Sequence, residues 1–174
     1  MITIVASTNR PDSKSRKLAN LYKRLLEEKG HSANVLSLED MPKDYIESAL
    51  YENSGKDETF NKLRKQMEDS RRFFFIIPEY NGSFPGVLKI FIDGLKYPDS
   101  IKGKKAALAG LSSGSMGTAL GLSHFTDVLN YLGCSVFANK PRYFNIEKSF
   151  DGENFTNKLY EEVCNEQIDK FLEF

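Results

Sequence analysis

"RFFFIIPEYNGSFPGVLKIFID", residues 72–93, decides the fold. After Arg72 its opening is apolar without alternation, the pattern of a strand buried on both faces. A polar break follows, in which Asn81-Gly82 is a strong turn signal. Pro85 then suits the first turn of a helix, where its missing N–H costs nothing. Leu88, Phe91, Ile92 and Leu95 recur on one helical face. Buried strand, polar turn and helix together make one βα unit of a parallel sheet.

The same alternation extends both ways along the chain. Strands are expected at Met1–Ala6, Ala33–Leu38, Arg72–Ile77, Lys105–Leu111 and Ser135–Ala138. Helices are expected at Ser15–Lys29, Thr59–Ser70, from Pro85, at Gly117–Leu132 and at Asn154–Phe171, with Gly30 as a C′ stop. Between residues 39 and 56 only a short helix near Tyr45–Tyr51 can be assigned. Five strands alternating with helices imply an α/β, doubly wound, five-stranded parallel sheet of order 2-1-3-4-5 with helices on both faces. The 174 residues suit one domain spanning 1–174. In such a sheet ligands bind at the carboxyl ends of the strands near the switch point, which directs attention to the loops after strands one, three and four.

Bulk properties narrow the function. Lys plus Arg and Asp plus Glu both number 24, a balance that argues against nucleic acid or an anionic membrane held by bulk charge. Cys134 and Cys164 are the only cysteines and form neither a disulfide framework nor a metal cluster, so a reducing, cytoplasmic setting is expected. No apolar run approaches the roughly 20 residues of a membrane span. Of the two histidines, His31 follows a helix end and His124 lies within a helix; neither reads as catalytic.

The first loop, "ASTNRPDSKSRK" (6–17), sets four hydroxyls and two arginines after strand one. Ser13 and Ser15 sit where helix caps belong, and Pro11-Asp12 supplies a turn. With Thr8 and Arg10 the same groups would make a phosphate site at a helix N-terminus. Neither G-x-x-x-x-G-K-[ST] nor G-x-G-x-x-G follows the strand, so nucleotide hydrolysis and an ordinary dinucleotide fold lose ground. The second loop offers Glu79, Tyr80 and Asn81, groups suited to a flat heteroaromatic ring with polar edges. The third, "LSSGSMGT" (111–118), is small-residue chain that a ligand can approach closely.

These segments resemble the NAD(P)H-dependent FMN reductases, a flavodoxin-like family that includes quinone, azo-dye and chromate reductases. The family's G-S-x-R-x-x-S-x-[NS] becomes Ser7-Thr8-Asn9-Arg10-Pro11-Asp12-Ser13-Lys14-Ser15, and PEYNGSFPGVLKxxID stands at Pro78–Asp93. Ser112 to Gly117 supply the third motif, while Gly94 replaces a bulky aromatic usual in the family. The resemblance implies a phosphate site at Thr8, Arg10, Ser13 and Ser15. It implies an isoalloxazine lined by Pro78, Glu79, Tyr80, Asn81 and Gly82, with Ser112, Ser113 and Gly114 on its other side. It also implies FMN as cofactor, NAD(P)H as co-substrate, and a homodimer or a tetramer built from it. No metal is called for. The expected activity is hydride transfer from NAD(P)H to FMN and onward to a flavin, quinone, azo compound or metal oxyanion. Because the cofactor carries the chemistry, no side chain is expected to act as catalytic acid or base. The alternative is a flavin-binding electron carrier or redox sensor without its own NAD(P)H turnover.

Overall fold

The computed structural model describes residues 1–174. One sheet holds β1 (Ile2–Ala6), β2 (Ala33–Ser37), β3 (Arg72–Pro78), β4 (Lys105–Leu111), β5 (Ser135–Val136) and β6 (Arg142–Tyr143). All pairs are parallel in the order β2-β1-β3-β4-β5, and β6 also pairs with β4. This is the expected 2-1-3-4-5 path with one strand more. The connecting helices are α1 (Lys14–Glu28), α2 (Tyr45–Ala49), α3 (Glu58–Asp69), α4 (Gly86–Asp93), α5 (Ala119–Tyr131), α6 (Ile146–Ser149) and α7 (Lys158–Glu173).

β3 shows how a continuous apolar run serves two layers. Successive strand side chains point to opposite faces, so Phe73, Phe75 and Ile77 join Phe60, Phe91 and Phe125 beneath α3, α4 and α5. Phe74 and Ile76 join Tyr22 and Phe171 beneath α1 and α7. Edge-to-face ring pairs fix both layers, Phe75 on Phe125 at 4.9 Å and Phe74 on Phe171 at 4.8 Å. Each such pair adds roughly 0.5–1.5 kcal/mol beyond area burial.

The edge strand is interrupted where the sequence suggests continuous Ser135–Ala138. β5 pairs with Lys105 and Ala106, the ladder lapses between Phe137 and Pro141, and β6 resumes pairing at Gly110 and Leu111. The interruption leaves the Leu108 carbonyl without a strand partner. Gln167 of α7 fills the gap: its Nε2 donates to Leu108 O at 2.8 Å and to Asn139 O at 3.0 Å. Its Oε1 accepts from the Tyr22 hydroxyl at 2.9 Å, which also meets the Tyr143 hydroxyl at 2.9 Å. A fully buried glutamine is thus accounted for group by group.

α7 begins four residues later than the expected Asn154. The Asp151 carboxylate accepts from the N–H groups of Glu153 and Asn154, forming a local turn, and Asn157 caps the helix by accepting from Leu159 N–H. Asparagine and aspartate compete with helix for backbone donors in this way.

Both cysteines are free and buried. Burial pushes each thiol up to about 12 from an ordinary 9.0, and burial also raises the phenols of Tyr22 and Tyr143 well above 10.0. These acids hold their protons more tightly when folded. The stability they contribute is present in full below the unfolded thiol value of 9.0 and is lost toward about 12. The thermal unfolding midpoint should therefore hold steady from about pH 7 to about pH 9 and fall above it, with thiol reagents unreactive in that range until denaturant is added. A pH-independent midpoint up to about pH 11, or rapid native-state labelling, would contradict this burial.

Candidate functional site

The loops leaving β1, β3 and β4 meet at one sheet edge and enclose a cleft of about 360 Å³. Thr8, Arg10, Ser13 and Ser15 line it from the first loop, Pro78, Glu79 and Tyr80 from the second, and Ser112 and Ser113 from the third. The exposed turn residues Asn81 and Gly82, and Gly114, are not among the lining residues. Pro11 and Asp12, read in the sequence only as a turn, and Lys14, Lys17, Leu111, Ile146 and Glu147 complete the wall without having been expected as ligand contacts.

The first loop ends as the start of α1. Ser13 caps the helix, its Oγ accepting from Arg16 N–H at 3.2 Å, so its hydroxyl proton remains available to a ligand. The N–H groups of Lys14 and Ser15 have no acceptor within the chain, as befits a helix start. The partial positive charge of those N–H groups favours an anion. Asp12 is paired with Lys17 at 2.8 Å, and that ammonium lowers the Asp12 carboxyl. Lys14 donates to Phe150 O at 3.3 Å. The Arg10 guanidinium makes no bond within the chain and is exposed. Arg16 lies elsewhere, bridged to Glu39 at 2.8 Å and joining α1 to the turn after β2.

The second loop closes as a two-residue hairpin turn. Tyr80 and Ser83 exchange backbone hydrogen bonds at 2.9 and 3.0 Å, with Asn81 at φ 50° and Gly82 at φ 73°. Positive φ at both central residues defines a type I′ turn, for which Asn-Gly is the preferred pair. The Tyr80 hydroxyl reaches the first loop and bonds Thr8 Oγ1 at 2.7 Å. Glu79 turns toward the third loop, its carboxylate accepting from Thr118 N–H at 2.8 Å. The three loops are therefore stitched to one another, Tyr80 to the first and Glu79 to the third.

Ser112 is turned into its own loop, donating to Gly114 O and accepting from Gly117 N–H, both at 2.9 Å. Gly117 has φ 58°, and a Cβ there would come within 2.8 Å of Arg142 Cβ. The glycine that this loop requires is Gly117, while a Cβ at Gly114 would meet nothing. Residues 143–147 brace the loop from outside: Tyr143 O accepts from Ser112 N–H at 3.0 Å, and Asn145 N–H donates to Gly114 O at 2.9 Å. Glu147 accepts from the Ser113 hydroxyl at 3.2 Å. No local sequence signal marks this fourth wall, because it comes from the resumption of the broken edge strand. Gly94 also has a spatial reason, since a Cβ there would sit 2.4 Å from the Phe60 ring and 2.8 Å from Leu50.

His124 accompanies the second loop from α5, with Nδ1 2.9 Å from Ser83 Oγ. No group of three or more His, Cys, Asp or Glu side chains is gathered as a metal site. No helix is long and apolar enough to cross a membrane.

Residues 1–150 match the family described as NADPH-dependent FMN reductase. A 2-hydroxy-1,4-benzoquinone reductase from a Burkholderia species is 31% identical over 152 residues, spanning 82% of this chain and 76% of that protein. An NAD(P)H-dependent FMN reductase of Pseudomonas aeruginosa is 32% identical over 116 residues, spanning 64% and 60%. Among solved structures, the FerB flavoenzyme NAD(P)H:(acceptor) oxidoreductase of Paracoccus denitrificans superposes with TM-score 0.79 at 26% identity, covering 99% of this chain and 94% of that one. A flavodoxin from the domain Archaea, at TM-score 0.65 and 16% identity over 99% and 98% of the two chains, shares the fold.

Proposed function

The chain belongs to the NADPH-dependent FMN reductase family, and on that premise we propose how its cleft holds FMN and uses NAD(P)H. The chain is an FMN-dependent oxidoreductase of the flavodoxin-like fold. The observation that carries the site assignment is the donor set at the start of α1. Two unpaired N–H groups, the hydroxyls of Ser13, Ser15 and Thr8, and an unengaged Arg10 guanidinium suit a phosphate dianion. Farther along the cleft, Pro78, Leu111 and Ile146 offer apolar wall to a flat ring system, with Tyr80 and Ser113 beside them. The residues present thus fit FMN in both charge and shape.

The chemistry that FMN supplies when bound is acceptance of hydride from NAD(P)H and release of electrons to an acceptor. The protein's share is position and electrostatics. Tyr80 holds Thr8 in place through its hydroxyl, Glu79 holds the second loop against the start of α5, and the N–H groups of Asn81 and Gly82, outside the cleft lining, take no acceptor within the chain and are left as donors for the ring edge. Hydrogen-bond donors placed where negative charge develops stabilise the reduced ring. Ser112 serves by shaping its loop, leaving Ser113 to face the cleft.

We assign the acceptor to the quinone class, with free flavin, azo compounds and metal oxyanions as further candidates, because the relatives include a benzoquinone reductase. Residues 1–174 act as one domain, placed in the cytoplasm in keeping with two free buried thiols. A homodimer is supported by the exposed apolar side chains Met116, Leu120, Tyr97 and Tyr131, the last 90% exposed. The test is an anaerobic mixing experiment. Purified protein loaded with FMN should show the flavin band near the visible blue and lose it within the mixing time on addition of NADPH or NADH. Protein that takes up no FMN refutes the site, and bound FMN that neither nucleotide bleaches refutes turnover in favour of a carrier.

A further inference from the structure

A second group of cations lies outside the cleft. Lys140 precedes β6 and Arg142 opens it, and both side chains line one cavity. Opposite them stands α5, whose Ala119, Leu122, Ser123, Thr126 and Asp127 recur at helical spacing. Between strand and helix is a cavity of about 390 Å³ lined by these seven residues.

Both cations lack a counter-charge. Neither forms an ion pair, although Asp127 shares the wall. Burial lowers the Lys140 ammonium, and no acid offsets that cost. The cavity adjoins the third loop of the cleft, though the two share no lining residue. Arg142 Cβ packs against Gly117 of the third loop, and Ala119, two residues on, already belongs to the second cavity.

We propose that this cavity seats the phosphates of the pyridine nucleotide while its nicotinamide occupies the flavin cleft. The proposal rests on the reading of the chain as an NAD(P)H-using flavoenzyme and adds residues to it. A guanidinium, an ammonium and the Ser123 hydroxyl are the donors that a phosphate monoester or diphosphate takes. The competing explanation is that the charges merely keep the open sheet edge from pairing with another chain.

The experiment compares wild type with Lys140→Gln/Arg142→Gln, both loaded with FMN, and titrates each with adenosine 2′,5′-bisphosphate as a probe lacking nicotinamide. The double variant should bind the bisphosphate about tenfold or more weakly, and KM for NADPH should rise by a similar factor with kcat little changed. A rise for NADPH alone identifies the 2′-phosphate as the group seated there, and an equal rise for NADH identifies the diphosphate; either supports the site. Unchanged bisphosphate affinity and unchanged KM for both nucleotides overturn it and leave edge protection as the role. If wild-type FMN is bleached by neither nucleotide, the functional reading fails on its own, and the bisphosphate titration still reads the cavity.

Discussion

Gln167→Leu should lower the unfolding free energy by about 3 kcal/mol, because it strips two carbonyls of their donors at a cost of roughly 1–3 kcal/mol each. The Leu108 carbonyl is buried where the edge strand breaks, and water cannot take the place of Nε2 there. Asn139 O lies closer to the surface and should account for the smaller share. The Tyr22 hydroxyl can still turn toward Tyr143, so it adds little. Urea unfolding of the two proteins checks the figure, and a loss under about 1 kcal/mol would mean that the broken edge needs no amide. Gln167→Glu separates hydrogen bonding from packing. A carboxyl held in that place has its pKa raised by burial, so its penalty is small below the ordinary value of about 4.3 and grows as pH rises above it. The leucine variant should show no such dependence between pH 4 and 7.

The same residue shows what is legible in a sequence and what is not. β1, β3 and β4 announce themselves as unbroken apolar runs, since strands buried on both faces need no alternation. The Asn81-Gly82 turn is equally plain, because few residue pairs accept positive φ twice in succession. Nine of the expected site residues line one cleft for the same reason: a parallel sheet brings its carboxyl-end loops together whatever their sequence separation. The partnerships within that cleft are not local. Nothing near Glu79 signals that it bonds Thr118 N–H, and nothing near Tyr80 signals Thr8, 72 positions away. β5 and β6 are two residues each, too short for any periodicity, and the amide that makes their interruption tolerable sits on a helix at the far end of the chain. That helix also lies beyond the residues matched to the family, 1–150.

Arg10→Ala should weaken FMN binding by about tenfold to a hundredfold, the equivalent of the 1.5–3 kcal/mol typical of a hydrogen bond to a charged group. Arg10 is the cation of the first loop with no other engagement: Lys17 is held by Asp12, Lys14 by the Phe150 carbonyl, and Arg16 by Glu39. Its charge is therefore free for a ligand, and removing it disturbs no bond of the folded chain. For that reason the unfolding midpoint without FMN should not move, which distinguishes it from Ser13→Ala, where a helix cap worth about 1 kcal/mol is lost together with a ligand contact. Arg10→Lys should recover part of the affinity, since an ammonium restores the charge but not the two-pronged grip on a phosphate. Raising salt should narrow the gap between wild type and Arg10→Ala, because an exposed charge is screened within about 10 Å at 0.1 M ionic strength. The measurement is quenching of flavin fluorescence during titration of FMN into apoprotein. An Arg10→Ala dissociation constant within twofold of wild type at low salt would remove Arg10 from the phosphate site, leaving the N–H groups of Lys14 and Ser15 with the hydroxyls of Thr8, Ser13 and Ser15 to hold the dianion without a guanidinium.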